Sequence, residues 1–311
     1  MRAGVILLLL LAIAALLGPL VVPSGPLAQD RTHLHQRPRV SAPDGASIHL
    51  LGTDSLGRDV LSRTLYGARF TLLTAAVGVV VTVGLGSALG IVAGLLGGLW
   101  DRLILRTSEL FMTLPALYLV LALRNLFRDA LDPLESAGII VVSLAAVGWT
   151  GVARLVRGQV VSIREADYVA AALAAGATRL RVMASHVLPA LGPFLLLQLG
   201  ISFPYFLLGE VTLSFLGLGL SEPAPSLGNL LAASVAGAGL LSRHWWVWLA
   251  PALVLTLAVL GTNLLLEGVR ERYGLESGAS ERPPRVSWAT TMSRFLSSSV
   301  WGSKHLRQRA S

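Results

Sequence analysis

The sequence contains no cysteine, which rules out a disulfide framework and any thiolate metal site and leaves its redox compartment unmarked. Lysine is almost absent as well, Lys304 being the sole example. A G-x-x-x-x-G-K-[ST] phosphate loop needs a lysine behind its glycines, and no such stretch occurs, so any nucleotide must be handled by another protein. Charge of either sign is scarce: 14% of residues are charged against 54% hydrophobic. No Asp, Glu, Lys or Arg falls between Arg69 and Asp101, or between Arg181 and Glu210. A soluble domain places charges on nearly every turn, whereas a hydrocarbon layer about 30 Å thick is crossed by roughly 20 consecutive apolar residues. The composition therefore predicts an all-α polytopic membrane protein.

Six blocks are long enough to span, approximately 5–22, 71–99, 110–123, 138–152, 187–209 and 247–266. The first, with Arg2 ahead of a leucine run, has the outline of a cleaved signal peptide. The run is long for that role, and Pro-Leu-Ala before Gln29 is a poor cleavage site, so a retained span is expected. Placing the N-terminus inside puts Arg2, Arg102, Arg106, Arg154, Arg157, Arg164, Arg179, Arg181 and the C-terminal tail in the cytoplasm. That is most of the 25 basic residues, in accord with the positive-inside rule. The net charge of +8 then faces anionic lipid or acidic partners rather than nucleic acid.

Two stretches stand out. In the second span Gly86, Gly90, Gly94 and Gly98 recur every fourth residue, making a groove that admits another backbone, from this chain or from a second subunit. Between the fourth and fifth spans lies a polar insert. Its alanine-dominated piece from Tyr168 favours a helix that Gly176 ends or bends. A second helical piece over 178–187 carries Arg179 and Arg181, and Pro189 falls in the first turn of the next span, where a missing N–H costs little. The small face of Ala170, Ala171, Ala174 and Ala175 suits a groove on another protein; a capped surface connector is the alternative.

The run Tyr168-Val-Ala-Ala-Ala-Leu-Ala-Ala-Gly176, followed by His186-Val-Leu-Pro189, resembles the cytoplasmic EAA loop of permease subunits from binding-protein-dependent ABC importers. His49-Leu-Leu-Gly-Thr-Asp-Ser-Leu-Gly-Arg-Asp-Val-Leu-Ser-Arg63, running into Tyr66-Gly-Ala-Arg69, resembles the signature of the shorter, C-type permease of the dipeptide, oligopeptide and nickel branch. Trp149 with Arg154 and Arg157, the run Glu210-Val-Thr-Leu-Ser-Phe-Leu-Gly-Leu-Gly219, Pro225-Ser-Leu-Gly228, and Asn263 before Glu267-Gly-Val-Arg270 match as well. Three positions depart: Ala170 replaces the glutamate that names the loop, Ala190 stands for asparagine, and Leu227 for tryptophan.

The resemblance implies a type I ABC importer transmembrane domain of six helices in a bacterial or archaeal inner membrane, with both termini cytoplasmic. It implies half of a translocation pathway for peptides or a related solute such as nickel. The partners implied are a second permease subunit, two ABC ATPase subunits and an external solute-binding protein, with no cofactor or metal and no nucleic acid. The ATPase-coupling loop maps to Tyr168, Ala170, Ala171, Ala172, Gly176, Arg179, His186, Leu188 and Pro189. The external signature maps to Gly52, Thr53, Asp54, Gly57, Arg58 and Asp59. The implied division is an N-terminal helix at 1–22, an external loop at 23–70, a core at 71–268 with the coupling loop at 164–189, and a cytoplasmic tail at 269–311.

Other classes fit less well. No histidine lies inside a spanning block, which disfavours an intramembrane hydrolase. A secondary transporter is the stronger rival, yet the central carboxylates that ion coupling requires are missing. Glu210 follows an uncharged helix from Val187 that covers about 34 Å at 1.5 Å per residue, which puts it at the outer interface as a gate residue or a snorkelling one. Asp54, Arg58, Asp59 and Arg63 alternate in sign and predict a short external helix with internal ion pairs. In the tail, Trp288, Met292, Phe295, Leu296 and Val300 keep helical spacing, suiting an amphipathic segment on the cytoplasmic membrane face, or disorder.

Overall fold

The computed structural model describes residues 2–22, 24–38, 49–126, 132–235 and 243–273. The described residues form helices α1 Arg2–Val21, α2 Val60–Leu96, α3 Gly98–Thr113, α4 Ala116–Leu126, α5 Pro133–Arg164, α6 Asp167–Ala174, α7 Arg179–Val182, α8 Leu188–Phe215, α9 Leu227–Val235 and α10 Trp245–Tyr273. A π-helical turn, Met183–Val187, leads from α7 into α8. One isolated antiparallel bridge joins Thr53 to Asp59, and no strand occurs among the described residues. The chain divides into a body of residues 1–269 and a segment from Arg270, of which only 270–273 are described. The tail with its expected apolar stripe lies outside the described residues.

Five helices, α1, α2, α5, α8 and α10, are long and apolar enough to cross a membrane. α3 and α4 pass the same test only as a pair, bent by 84° at the break between them; counted as one broken span, they bring the crossings to six. The block expected as one span at 110–123 is therefore broken. Pro115 is the cause: it has no N–H to give and forces the preceding residue out of the helical region, and Leu114 sits at φ −82°, ψ 118°. The other starts are capped by local sequence. Asp59 accepts from the Ser62 N–H at 2.7 Å ahead of α2, and Asp132 with Glu135 forms a reciprocal capping box before Pro133 opens α5.

The glycine repeat resolves into packing within the chain. A Cβ on Gly86 would sit 2.8 Å from Trp149 O, one on Gly90 2.5 Å from Ala153 O, and one on Gly94 2.7 Å from Val160 Cβ. All three face α5, and the pairing advances in the same direction along both helices, so α2 and α5 run parallel with backbones in close approach. Gly98 does not share the seam; it lies past the end of α2. The antiparallel α8 crosses the other side of α2, where Phe206 lies against Gly78 and Leu227 N donates to Thr71 Oγ1 at 3.2 Å. α1 runs antiparallel to α10, with Gly4 on the backbone at Leu265 and Leu8 on Gly261. These directions put the start of α1, the ends of α2 and α5, the α6–α7 segment and the start of α8 on one face of the bundle. Segments 24–38, 49–59 and 216–226 gather on the other.

The seam gives a stability test. Gly90→Val should destabilise the purified full-length chain by about 1–3 kcal/mol through overpacking, whereas Gly84→Val, where an added Cβ meets nothing within 4 Å, should be close to neutral in the same thermal melt. Equal effects at the two sites would count against a tight α2–α5 contact.

Candidate functional site

On the face that carries the insert, two short helices are present as expected from the alanine run. Val169, Val182 and Val187 are fully or almost fully buried and tie the segment to the bundle. Ala170, Ala171, Ala174, Ala175 and Gly176 are exposed, and Ala172 is half-buried. Gly176 adopts φ +89°, and the Ala177 N–H donates to Ala172 O at 3.1 Å, the long bond of a Schellman turn that only a residue tolerant of positive φ closes without strain. Thr178 then opens α7, its Oγ1 accepting from Arg181 N at 3.3 Å. Tyr168 and His186 come together across the bend, ring centroids 5.9 Å apart and edge-on. Leu188 and Pro189 are exposed in the first turn of α8; Arg179 opens α7. An added Cβ at Gly176 meets nothing within 4 Å, so the surface there is free of the chain's own atoms.

On the opposite face the signature residues build a latch rather than the short helix expected from their charges. Gly52–Asp59 is a tight hairpin that ends where α2 begins: Asp54 N donates to Arg58 O at 3.0 Å and Val60 N to Gly52 O at 3.0 Å. The alternation of sign is used by tertiary contacts and by capping, which the sequence pattern does not distinguish from helical i, i+4 pairing. Asp54 Oδ1 accepts from the N–H groups of Leu56 and Arg58, and its Oδ2 accepts from Arg58 Nε at 2.7 Å. Asp59 caps α2 and lies 3.0 Å from His49 Nδ1. Gly57, at φ +74°, allows Asp30 N to reach its carbonyl at 3.1 Å, because any side chain there would collide with Asp30. Thr53 is pinned from three sides: its N–H donates to Gln36 O, its Oγ1 to His33 O, and its carbonyl accepts from Trp246 Nε1 at 3.3 Å.

The latch reaches two residues not included in the signature set. Glu222, in the turn after α8, accepts from Arg58 Nη1 at 2.8 Å with one oxygen and from Arg63 Nη2 at 2.7 Å with the other. Arg63 is 1% exposed, the largest side chain buried so completely. The charge alternation pointed to Arg63, but nothing local to Glu222 marks it, since its partners are some 160 positions away in the chain.

Glu210 is corrected in environment. It does not snorkel: it is fully buried, accepts from Ser214 Oγ at 2.7 Å, and Ser214 Oγ in turn accepts from Leu220 N at 3.2 Å. The turn after α8 folds back over the helix end instead of opening to solvent, so reach along the helix alone misplaces this carboxyl. Asn229 locks that turn, accepting from Ser226 N at 2.9 Å and donating to Ala224 O at 2.8 Å.

A bundle of five helices and one broken crossing, with an exposed alanine elbow on one face and a hydrogen-bonded latch on the other, defines a membrane-embedded transport subunit. Residues 86–273 match the model of the binding-protein-dependent transport system inner membrane component family, and the chain belongs to that family. It is therefore a permease component of an ABC importer. It is 35% identical to the dipeptide transport system permease protein of Bacillus subtilis (strain 168), over 86% of this chain and 79% of that one. It is 37% identical to the di/tripeptide transport system permease protein of Pseudomonas aeruginosa (strain UCBPP-PA14), over 86% and 85%. It is 33% identical to the oligopeptide transport system permease protein of Haemophilus influenzae (strain ATCC 51907 / DSM 11121 / KW20 / Rd), over 74% and 71%.

One titration follows from the latch. Burial holds the His244 imidazole below its ordinary range, and the charges of His35, Arg243 and Arg37 act in the same direction. The unfolded chain then binds this proton more readily than the folded one, so the group's stability contribution is present above the unfolded value of about 6.5 and is lost as pH falls below it. The melting temperature of the full-length chain should drop between about pH 7.5 and about pH 5.5, and His244→Phe, which keeps a ring against His35 but takes up no proton, should flatten that drop. A slope unchanged in the variant would assign the effect to other groups.

Proposed function

We propose that the chain forms half of an import pathway for di- or oligopeptides, paired with a second permease subunit, and that two ATPase subunits drive it through the α6–α7 elbow. The peptide assignment rests on the relatives, which are named for peptide transport. In this reading both termini and the elbow face the cytoplasm, and the latch faces an external binding protein. The observation that carries it is the elbow itself. Its alanine surface is exposed while its valines are buried, and beyond the turn at Gly176 α7 runs without a loop through the π turn into α8. A push on the elbow is carried through that tight turn to a spanning helix. Nucleotide binding in the ATPases shifts an equilibrium between inward- and outward-open states, and only differential contact with the elbow in those states transmits it. Ala170 stands where a charged contact is usual, so shape carries the docking at that point.

The elbow is tested by Ala171→Trp and Gly176→Trp in the assembled complex. Both project bulk from an exposed surface; the first does so without straining the backbone. Each should leave membrane insertion intact and abolish substrate-stimulated ATP hydrolysis and uptake. Stimulation retained at the wild-type level in both variants would reduce the elbow to a connector.

A further inference from the structure

Behind the latch lies a small cavity of about 30 Å³, lined by Arg58, Arg63, Thr64, Ser234, His35 and His244 among others. Its walls include the Asp54 carboxylate and several polar atoms without partners. Among the described residues Arg63 Nε and Nη1, which can only donate, are buried and make no hydrogen bond, and the same holds for Thr64 Oγ1 and for Nδ1 of His35 and His244, which can donate or accept. The neighbouring acceptors are already committed: both oxygens of Glu222 receive guanidinium N–H groups, and both oxygens of Asp54 receive N–H groups of the hairpin and Arg58. Asp54 Oδ2 is 3.9 Å from Arg63 Nε, an ion pair without a hydrogen bond. A buried charged donor left unpaired costs more than a neutral one.

Arg58 and Arg63 are balanced by Asp54 and Glu222. Arg37 and Arg243 lie near enough for their charge to bear on His244, and neither has an ion-pair partner among the described residues. His35 and His244 stack with centroids 3.9 Å apart and place two imidazole rings in the cavity wall. A water position requires roughly 10–15 Å³ measured in this way, so the cavity takes about two such positions. That suits a halide or the two oxygens of a carboxylate and excludes sulfate, phosphate esters and larger acids.

We propose that this cavity binds a single small monovalent anion, a halide or a carboxylate group, held by Arg63 and Thr64 beneath the stacked histidines. The anion supplies the missing acceptor for Arg63 and ties the hairpin, α2 and α9 into one unit. Because it binds the folded latch and not the unfolded chain, it stabilises the latch by mass action.

The test is thermal unfolding of the full-length chain in detergent at fixed pH and ionic strength, in sodium chloride, sodium formate or sodium gluconate. Chloride or formate should raise the melting temperature by about 3 °C over gluconate, with saturation at rising concentration; which of the two acts at lower concentration separates the halide from the carboxylate. Thr64→Val, which keeps the ion pairs, should at least halve that increment, and Arg63→Gln should remove it. Equal melting in all three salts would mean that the cavity holds water alone. An increment that persists undiminished in both variants would mean an adventitious ion only. Either result overturns the proposal, and Thr64→Val decides the matter if Arg63→Gln fails to fold.

Discussion

The approach of α2 to α5 is the contact on which the rest of the bundle depends. In hydrocarbon, helices gain nothing from hiding apolar surface, so association rests on van der Waals packing, which improves steeply as backbones come closer. Three glycines at four-residue spacing remove the side chains that would hold the two helices apart. The valines of α5 then enter the groove, and Val152, Val156 and Val160 are buried there. Two polar anchors hold the same end of α5: Arg157 donates to both oxygens of Asp101 in α3 at 2.9 and 2.6 Å, and Arg164 Nη1 donates to Gly94 O of α2 at 3.0 Å. With α2 and α5 fixed in parallel, α8 has one groove left to fill, and its Phe206 fills it against Gly78.

Much of this was legible from the sequence, for a physical reason. Spanning blocks, helix caps and a four-residue glycine period are local signals, and the structure uses them locally. The kinked elbow belongs to the same class, since an alanine run closed by glycine specifies its own conformation whatever surrounds it. What could not be read was decided by distant residues. The charge alternation from Asp54 to Arg63 has two solutions, an i, i+4 ladder on a helix or a hairpin answering to Glu222, and only tertiary contact selects between them. Of the two readings of Glu210, snorkelling gives way for the same reason, because its burial is created by a turn that folds back through Ser214 and Asn229. The break at Pro115 was visible in principle: a proline inside a block only marginally long enough to span is a signal that the block is two helices.

The two faces of the bundle are built in contrasting ways. The latch is dense in long-range hydrogen bonds: Thr53 reaches His33 and Trp246, and Arg63 reaches Glu222. It fixes the starts of α2, α9 and α10 relative to one another, and the Asp59 cap transmits that fixation directly into α2. The elbow is held differently. Among the described residues its side-chain anchorage is mainly apolar, with Val169, Val182 and Val187 buried beside one edge-on ring pair, while its backbone groups are satisfied by the helices and by the turn at Gly176. Apolar contacts of that kind have little directional preference, whereas the latch cannot shift without breaking several hydrogen bonds at once.

That asymmetry constrains how motion passes through the chain. From α6 the chain passes the turn at 175–178, and beyond it α7, the π turn and α8 are continuous. The π turn, with its i→i+5 bonding, interrupts the regular α-helical ladder. Pro189 and Pro193 follow within the first turns of α8, each removing one backbone bond. Compliance is thus concentrated in one short stretch, and beyond it α8 leads to Glu210 and Ser214 beneath the turn that carries Glu222. In the coupling proposed above, a displacement at the elbow would be taken up at this base and passed into α8 against the latch. A permease stiffened at residues 183–193 would then hold its fold and lose the coupling between its two faces.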